Sequence, residues 1–540
     1  MLQLLLSSKK APGATMRKIT LLFYLFFGCI TLSGEINWHK QAEISVNMIK
    51  EELKANHPAG AESSSNAFSS WLETADKTIA DKLTQVHSLS SYQSLLQWYA
   101  KGFNDSHLRV SFKKEKITED DFVQWPGFLV EYNSVDKKFY LTESIDEILE
   151  KQGHLDGHSF NFKELLKIND ENVKAWIDKN CTPFYNGPIQ GCESAYVKMA
   201  PFALVTTNNP FALKPKTITV QSTGSCRCID GGKSKTVTIN LENQRITSAE
   251  LSTKVSTARK FDPNKKAFLS IFNDDNGAKI GYVRIPTLAP QNKSEETALL
   301  TTIKKMPKSR TCKTVIFDIR NCFGGSSEYA DQLLKKLFGI EYVDQKRSHA
   351  ETNVSCDWRA SQGNIKYLRH TALNGHPLLI LSEKAKKWFS TYSYKLETAL
   401  KKGDVFYTEP KESEQIETPA EPLSNPNIIF IIDAQNGSAA LDFIDYAKAC
   451  ALVKLIGEPT SADSVYMEVR RTEIKTNEPN TDFTLDFPIK VYRNRPRGHN
   501  QPYLPDIAMH LKSYPTKKDA AQYTNDLLKR ILCLKEQILH

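Results

Sequence analysis

Three short segments of the chain carry residue types that suit covalent catalysis. Ser438 follows an Asn-Gly turn, His107 closes an Asp-Ser-His triplet, and Gly324-Gly325 forms a glycine pair. Serine becomes an effective nucleophile when a neighbouring base accepts its proton, and histidine commonly serves as that base. Residues without a Cβ let backbone N–H groups approach a substrate carbonyl, and the N–H of Ala439 would add a second donor. Together the segments indicate nucleophilic acyl transfer, a chemistry that needs no metal or cofactor.

Each segment also has an ordinary structural interpretation. A serine after Asn-Gly is typical of a helix N-cap. A glycine pair between a strand and a helix suits a tight turn or a phosphate-binding turn. A histidine in a turn often has no chemical role. The acyl-transfer hypothesis therefore depends on whether the fold brings the three segments together.

The sequence around these segments predicts an α/β core. Apolar runs at residues 314–319 and 427–433 have the length of buried strands, and each leads through a short loop into a helix-forming stretch. Further strands are predicted at residues 280–285 and 453–456. Because the carboxyl ends of parallel strands share one edge of a sheet, we expect Ser438 and the glycine pair to lie at that edge.

The remaining sequence divides into further units, which differ in their apolar periodicity. Alternation and turn residues predict a hairpin over residues 128–142, and we expect an insertion at residues 340–425 that contains a helix near 384–401. The predicted units are an N-terminal helical region at 35–112 that ends in the strand after His107, a β-rich domain at 113–265, the α/β core at 266–515 and a last amphipathic helix at 516–540.

The composition is ordinary for a globular protein, and the N-terminal segment indicates export. At 540 residues the chain is too long for one compact core, and its 40% hydrophobic and 25% charged residues are ordinary. The net charge of +9 is dispersed, without an arginine-rich tract, which argues against a nucleic-acid partner. Residues 16–34 combine a basic start, an apolar run too short to span a bilayer and small residues at the end, as in a secretory signal peptide. We therefore expect a signal peptide at residues 1–34, a periplasmic or extracellular location and no stable membrane insertion.

Cysteine spacing adds further expectations for an oxidising compartment. Cys181 and Cys192 bracket a Pro/Gly loop and are the best candidates for a local disulfide. Cys226 and Cys228 suit a strained bridge or separate partners, and a metal site there would need further ligands. Cys29, next to a glycine, leaves a lipoprotein anchor open.

Four sequence blocks resemble the C-terminal processing, or tail-specific, serine peptidases, and their order and spacing agree over residues 265–510. The blocks are Arg284 within Gly-Tyr-Val-Arg-Ile-Pro, Asp318-Ile-Arg-Asn-Cys-Phe-Gly-Gly, Asn436-Gly-Ser-Ala-Ala-Leu-Asp442 and Ile456-Gly-Glu-Pro-Thr460. The resemblance implies a ClpP/crotonase-like α/β catalytic core and a PDZ-like domain at residues 113–265. It also implies a peptide or protein substrate, and it leaves a homodimer open.

The family uses two catalytic arrangements. In one, a lysine downstream of the serine is the base, but residues 460–465 contain no lysine. In the tricorn-like arrangement a Ser-His pair in the N-terminal part supplies the base, and Ser106-His107 looks like this pair. By this resemblance His107 is the general base, Ser106 is a supporting hydroxyl and Ser438 is the nucleophile. The resemblance also assigns the oxyanion hole to the N–H groups of Gly325 (or Gly324) and Ala439.

One position departs from the tricorn-like pattern. Gln501 stands where a glutamate that orients the histidine is expected. An amide can hold an imidazole tautomer but cannot offset the imidazolium charge, so we expect slower catalysis, with Glu468 as a candidate substitute. The sequence thus predicts an exported serine endopeptidase that forms an acyl-enzyme on Ser438. The alternative is a weakly active or inactive relative that binds an extended peptide or an apolar ligand.

Overall fold

A computed structural model describes most of the chain as a mixed α/β protein. The described residues are 36–62, 67–113, 122–143, 145–152, 162–222, 236–258, 265–377, 380–410, 419–510 and 516–538. The predicted signal peptide, Cys29, Cys226 and Cys228 lie outside these residues. Within the described part, no helix combines the length and the apolar character that crossing a lipid bilayer requires.

The helices are numbered along the described chain. They are α1 (Trp38–Asn56), α2 (Ala67–Leu83), α3 (Leu89–Lys101), α4 (Asp146–Lys151), α5 (Val173–Asn180), α6 (Glu193–Met199), α7 (Ser248–Ala258), α8 (Lys293–Lys305), α9 (Ser327–Phe338), α10 (Ile340–Ala350), α11 (Gln362–Asn374), α12 (Glu383–Lys401), α13 (Ala439–Cys450) and α14 (Ala520–Ile538). Short 3₁₀ turns occur at Pro58–Ala61, Thr182–Phe184, Ala200–Phe202 and Met306–Thr311.

The strands are numbered in the same way. They are β1 (Arg109–Phe112), β2 (Phe122–Trp125), β3 (Val130–Asn133), β4 (Lys138–Leu141), β5 (Phe162–Ile168), β6 (Glu171–Asn172), β7 (Thr217–Ser222), β8 (Thr236–Asn240), β9 (Gln244–Thr247), β10 (Phe268–Asn273), β11 (Lys279–Arg284), β12 (Thr314–Asp318), β13 (Ser355–Arg359), β14 (Phe406–Thr408), β15 (Asn427–Ile432), β16 (Val453–Gly457), β17 (Tyr466–Ile474), β18 (Phe483–Arg493) and β19 (Ile507–Ala508).

A six-stranded sheet forms the core that carries Ser438 and the glycine pair. Its strand order is β10-β11-β12-β15-β16-β19, and all neighbours are parallel except β10 and β11. One face packs against α8, α9 and α13, and the other packs against α14. Because both faces are covered, β12 and β15 are apolar along most of their length. The predicted α/β alternation is confirmed.

A second sheet supports the segment that contains His107. Its order is β1-β18-β13-β14, β17 also pairs with β18, and all its ladders are antiparallel. It shares a hydrophobic core with the N-terminal helices α1 to α3 and with α11 and α12. Within residues 340–425, predicted as an insertion, β13, β14, α11 and α12 join this sheet and its helical layer, whereas α10 packs in the core of the first sheet. The strands concerned are short and partly polar, so their alternation gives little signal.

Residues 122–258 build a β-rich unit with its own hydrophobic core around Trp176. Its main sheet has the order β3-β4-β5-β7-β8, and the predicted hairpin is present as β3 and β4. Cys181 is buried at the end of α5 and Cys192 precedes α6, and both are free thiols. The predicted disulfide between them is therefore not formed.

Candidate active site

Ser438 lies in a strained turn between a strand and a helix. β15 ends at Ile432, α13 begins at Ala439, and Ser438 has φ 52° and ψ −128°. A residue with a Cβ adopts a positive φ at a cost of about 1–2 kcal/mol, and such strain recurs at functional sites. Ser438 occupies the N-cap position, but its side chain makes no capping hydrogen bond to α13. The N-cap interpretation is therefore wrong, and helix capping does not explain the hydroxyl.

Gly324 packs directly against Ser438. A Cβ added to Gly324 would lie 2.9 Å from the Cβ of Ser438 and 3.0 Å from the backbone nitrogen of Ala439. Gly324 also has φ 104°, in the left-handed region that favours glycine. The structure therefore places the glycine pair beside the serine turn, in a contact that has no room for a side chain.

Two backbone N–H groups near Ser438 make no hydrogen bond within the bridge or the helix to which they belong. Gly325 forms a parallel bridge with Leu288, in which the bonds run from Leu288 N to Gly324 O at 3.2 Å and from Ser326 N to Leu288 O at 2.9 Å. Because successive peptide groups of an extended chain point to opposite sides, the N–H of Gly325 points away from Leu288. The N–H of Ala439 is the first of α13, where no intrahelical acceptor exists. The predicted oxyanion donors were Ala439 and Gly325 (or Gly324), and an oxyanion hole at this place stays a prediction.

Asn436 connects the serine turn to the loop that contains the glycine pair. It is fully buried, and its Nδ2 donates to the carbonyl oxygens of Ile319 at 2.5 Å and Cys322 at 3.2 Å. Its Oδ1 accepts the N–H of Asp433 at 2.8 Å. One buried amide thus satisfies backbone groups of both loops and fixes their separation.

Asp433, at the end of β15, makes a second connection between these loops. Its Oδ2 accepts the N–H of Asn321 at 2.8 Å, and its Oδ1 accepts the N–H of Gln435 at 3.0 Å. Burial, helped by the negative charge of Glu458, raises the pKa of Asp433 to about 6. The carboxyl therefore changes its charge close to neutral pH.

His107 lies in the turn before β1, and its ring is held between two carboxylates. Nδ1 lies 3.8 Å from Oδ1 of Asp105, and Nε2 lies 3.3 Å from Oδ1 of Asp463. The backbone N–H of His107 also donates to Oδ1 of Asp105 at 2.9 Å. His107 is buried, and within the described residues its Nδ1 has no hydrogen-bond partner.

One short segment connects the Ser438 turn with His107. Ser461 donates its N–H to the carbonyl oxygen of Asn436 at 2.9 Å, and Asp463, two residues later, contacts the His107 ring. Among the residues described, no hydrogen bond joins the Ser438 hydroxyl to that ring. Catalytic hydrogen bonds are often loose in the absence of substrate and tighten in the complex.

Two other residues of the predicted site contribute differently. The Ser106 hydroxyl is buried next to His107 and has no hydrogen-bond partner in the described part of the chain. The side-chain oxygen of Gln501 accepts the N–H of Gly498 at 3.1 Å, while the Gln501 backbone forms a bridge with Asp463. The Gln501 amide oxygen is thus turned toward its own loop, and a catalytic role for Gln501 stays a prediction.

Glu468, the suggested substitute for the missing glutamate, lies in a different charged cluster. Burial raises the pKa of Glu468, opposed by the charge of Lys490 and supported by that of Glu409. The carboxylates that face His107 are those of Asp105 and Asp463, which the sequence analysis did not single out. A signal for Asp105 was its position two residues before His107, in the same turn.

Asp463 belongs to a network of ion pairs beside the site. Its Oδ2 lies 3.0 Å from Nη1 of Arg497, which also pairs with Asp442 on α13 at 3.5 Å and with Asp445 at 3.2 Å. Burial would raise the pKa of Asp442, but Arg495 and Arg497 hold it below its usual range. The network attaches the segment after β18 to the helix that follows Ser438.

The chain is similar to known proteins in sequence and in fold. Residues 279–509 match the sequence model of peptidase family S41. The crystal structure of mature CPAF is similar with a TM-score of 0.54 at 14% identity, over 92% of this chain and 97% of that chain. The structure of mature CPAF complexed with lactacystin gives a TM-score of 0.55 at 16% identity, over 92% of this chain and 98% of that chain. At such identities the structural matches show a shared fold. No curated protein matches the chain.

The region that matches the family runs from β11 to β19 and includes the glycine loop and the Ser438 turn. It therefore contains every parallel strand of the core sheet. Residues 279–509 thus carry the sequence pattern of peptidase family S41, which supports a serine peptidase.

Proposed function

We propose that the protein is an exported endopeptidase that cleaves peptides or proteins through an acyl-enzyme on Ser438. The observation that carries this proposal is the strained Ser438 turn, with Gly324 packed against it and a hydroxyl that does not cap the helix. Strain of this kind persists where the surrounding structure enforces it, and it recurs where a side chain must be presented to a ligand. Export is supported by the basic and apolar pattern of residues 16–34.

In the proposed reaction, His107 accepts the proton of the Ser438 hydroxyl while Oγ attacks the carbonyl carbon of the scissile peptide bond. The N–H groups of Ala439 and Gly325 (or Gly324) bind the resulting oxyanion. His107 then gives the proton to the leaving amine, and an acyl ester on Ser438 remains. Water, activated by the same histidine, hydrolyses this ester and restores the free hydroxyl. Ser106 supports the His107 ring from the same turn.

We further propose that the core sheet with α8, α9 and α13 is a ClpP/crotonase-like fold and that residues 113–265 form a PDZ-like domain. The parallel order of β11, β12, β15 and β16 supports the first assignment. The separate hydrophobic core of the β-rich unit supports the second. This unit approaches the site through Lys198 on α6, whose Nζ donates to Oγ of Ser461 at 2.8 Å. A domain in this position could present an extended substrate to Ser438.

A fluorophosphonate probe tests the nucleophile. We expect covalent labelling of the wild-type protein, no labelling of Ser438→Ala, and a labelled peptide that contains Ser438 in the mass spectrum. Ser382→Ala is the matched control, because Ser382 is an ordinary N-cap whose Oγ accepts the N–H of Ala385 at 3.1 Å. Intact Ser438 that never reacts would overturn the proposal and favour the alternative, a relative that binds peptides without cleaving them.

The base is tested with His107→Ala. We expect turnover to fall about 10³-fold or more, because serine without a base is a poor nucleophile. The thermal midpoint is measured alongside, because His107 is buried between two carboxylates and its loss can also lower stability. An unaltered rate would refute the assignment of His107. Export is tested separately, by fractionating the producing cells and sequencing the N-terminus of the mature protein.

A further inference from the structure

A second buried histidine lies behind His107. His57 is fully buried, and its Nδ1 accepts the N–H of Ala59 at 3.1 Å. Its proton is therefore on Nε2, which donates to Oδ2 of Asp105 at 3.2 Å. The His57 ring stacks on Phe68 at 4.5 Å and meets the edge of Tyr466 at 4.8 Å, so packing fixes its orientation.

Asp105 is held from both sides by these histidines. One carboxylate oxygen accepts from the His57 ring, and the other accepts the backbone N–H of His107 and lies 3.8 Å from its Nδ1. Burial would raise the pKa of Asp105, but the hydrogen bond and charge of His57, together with His107, lower it overall. A fully buried carboxyl group, whose pKa is lowered, thus lies 3.8 Å from Nδ1 of His107.

We propose that Asp105 is the carboxylate that orients His107, and that His57 is a positioning residue that acts through Asp105. The inference rests on the proposed role of His107 as the base. A carboxylate at Nδ1 favours the tautomer with its proton on Nδ1, which leaves the lone pair of Nε2 free to accept the proton of Ser438.

Asp463 faces the other ring nitrogen and would favour the opposite tautomer. Its second oxygen is paired with Arg497 at 3.0 Å, which draws charge away from the ring. Within the described residues Asp105 forms no ion pair with an arginine or a lysine, although Lys101 and Arg109 act on it at longer range, and its second oxygen accepts a hydrogen bond from His57. The productive tautomer therefore depends on Asp105, and Gln501 needs no part in it.

Turnover of four full-length variants tests this inference. Asp105→Asn keeps the shape but removes the charge, and kcat should fall about 10²–10⁴-fold with KM little changed, as expected when an imidazole loses its orienting carboxylate. His57→Phe keeps a ring against Phe68 but removes the donor, and kcat should fall by a smaller factor. His57→Gln restores an N–H at the position of Nε2 and should recover most of the lost activity.

His376→Phe is the matched control, because His376 also packs against aromatic rings, those of Tyr367 and Phe389, without contacting Asp105.

A second measurement does not depend on turnover. Nitrogen NMR of ¹⁵N-histidine-labelled Ser438→Ala protein reports which nitrogen of each ring carries the proton, and His107→Gln assigns the signal. We expect the His107 proton on Nδ1, and its transfer toward Nε2 when Asp105→Asn is added. A His107 proton that already lies on Nε2 when Asp105 is intact would overturn the inference. The inference would also be overturned if Asp463→Asn, and not Asp105→Asn, lowered kcat and moved the proton. Failure of fluorophosphonate labelling would instead refute the proposed function, and the NMR result would still decide the role of Asp105.

Discussion

The Cβ that Gly324 lacks would lie 2.9 Å from the Cβ of Ser438, so the glycine loop and the serine turn meet at a contact that admits no side chain. The same virtual atom would lie 2.6 Å from the carbonyl oxygen of Gly437. These neighbours are backbone or nearly backbone atoms, which cannot rotate away. The position of one loop therefore determines the position of the other.

Gly324→Ala should separate the two loops and abolish most of the activity. We expect kcat to fall about 100-fold or more, comparable to the loss of an oxyanion donor. Kinetics with a peptide substrate and the rate of fluorophosphonate labelling measure the effect. Gly375→Ala is the matched control, since Gly375 also has a positive φ of 92° but has no atom within 4 Å of an added Cβ. Both variants bear backbone strain, and only the first should lose turnover; equal kcat values would contradict the argument.

Asn436→Asp should uncouple the loops without removing any volume. The change replaces a donor with a carboxylate oxygen beside the carbonyls of Ile319 and Cys322, and we expect a loss of about 2–3 kcal/mol in the free energy of unfolding together with a large loss of kcat. Urea unfolding and kinetics on the folded protein measure the two effects.

The control for this variant is Asn364→Asp. Asn364 is equally buried, and its Nδ2 also donates to two carbonyl oxygens, those of Asn56 at 2.9 Å and Arg359 at 3.0 Å. It lies in the helical layer of the second sheet, so its loss should lower stability while kcat of the folded protein stays near the wild-type value. If both variants lost kcat equally, the effect would be global and the specific role of Asn436 would be refuted.

The core sheet could be predicted because the sequence pattern of each strand is visible within a short stretch of the chain. β12 and β15 are apolar over nearly their whole length, and each is followed by a loop and a helix, so their period and order are visible in the sequence. The second sheet could not be predicted in this way. β13 pairs with β18, which lies more than a hundred residues later in the chain. β17 contains two consecutive arginines, Arg470 and Arg471, and is partly exposed, so it has no clear apolar pattern. Only tertiary packing defines that register.

The residues of the candidate site also differ in how well the sequence predicts them. Ser438 and Gly324 were accessible from the sequence because turn chemistry after a buried strand is a local property. The partners of His107 were not, because Asp463 is 356 positions away and a side chain such as Gln501 can turn to its own loop instead of the ring. The segments were thus predictable, and the contacts between their side chains were not.

Asp433 should make the stability of the protein depend on pH. Its folded-state pKa is raised to about 6 by burial, so its contribution to stability is full below the unfolded value of 3.8 and is lost as pH rises through 6. Asp433→Asn should remove this dependence, which amounts to about 2–2.5 kcal/mol between pH 4 and 7. Urea unfolding of both proteins across this range measures it, with equal m values as the control for two-state behaviour. Parallel pH profiles would contradict the prediction.

His510 should stabilise the contact between the β-rich unit and the core in a pH-dependent way. Its Nε2 lies 2.6 Å from Glu131 on β3, and its Nδ1 lies 2.9 Å from Glu458 after β16. Hydrogen bonds to Glu131 and Glu458 raise the pKa of His510 to about 9. A raised histidine pKa stabilises the folded state below the unfolded value of 6.5, and this contribution is lost as pH rises through 9. The ring is partly exposed, so we expect His510 to contribute about 1–2 kcal/mol to the free energy of unfolding.

The difference in unfolding free energy between wild type and His510→Gln should therefore shrink from pH 7 to pH 10, and Glu131→Gln should reduce this difference in part. A difference that stayed constant over this range would show that His510 contributes through packing alone.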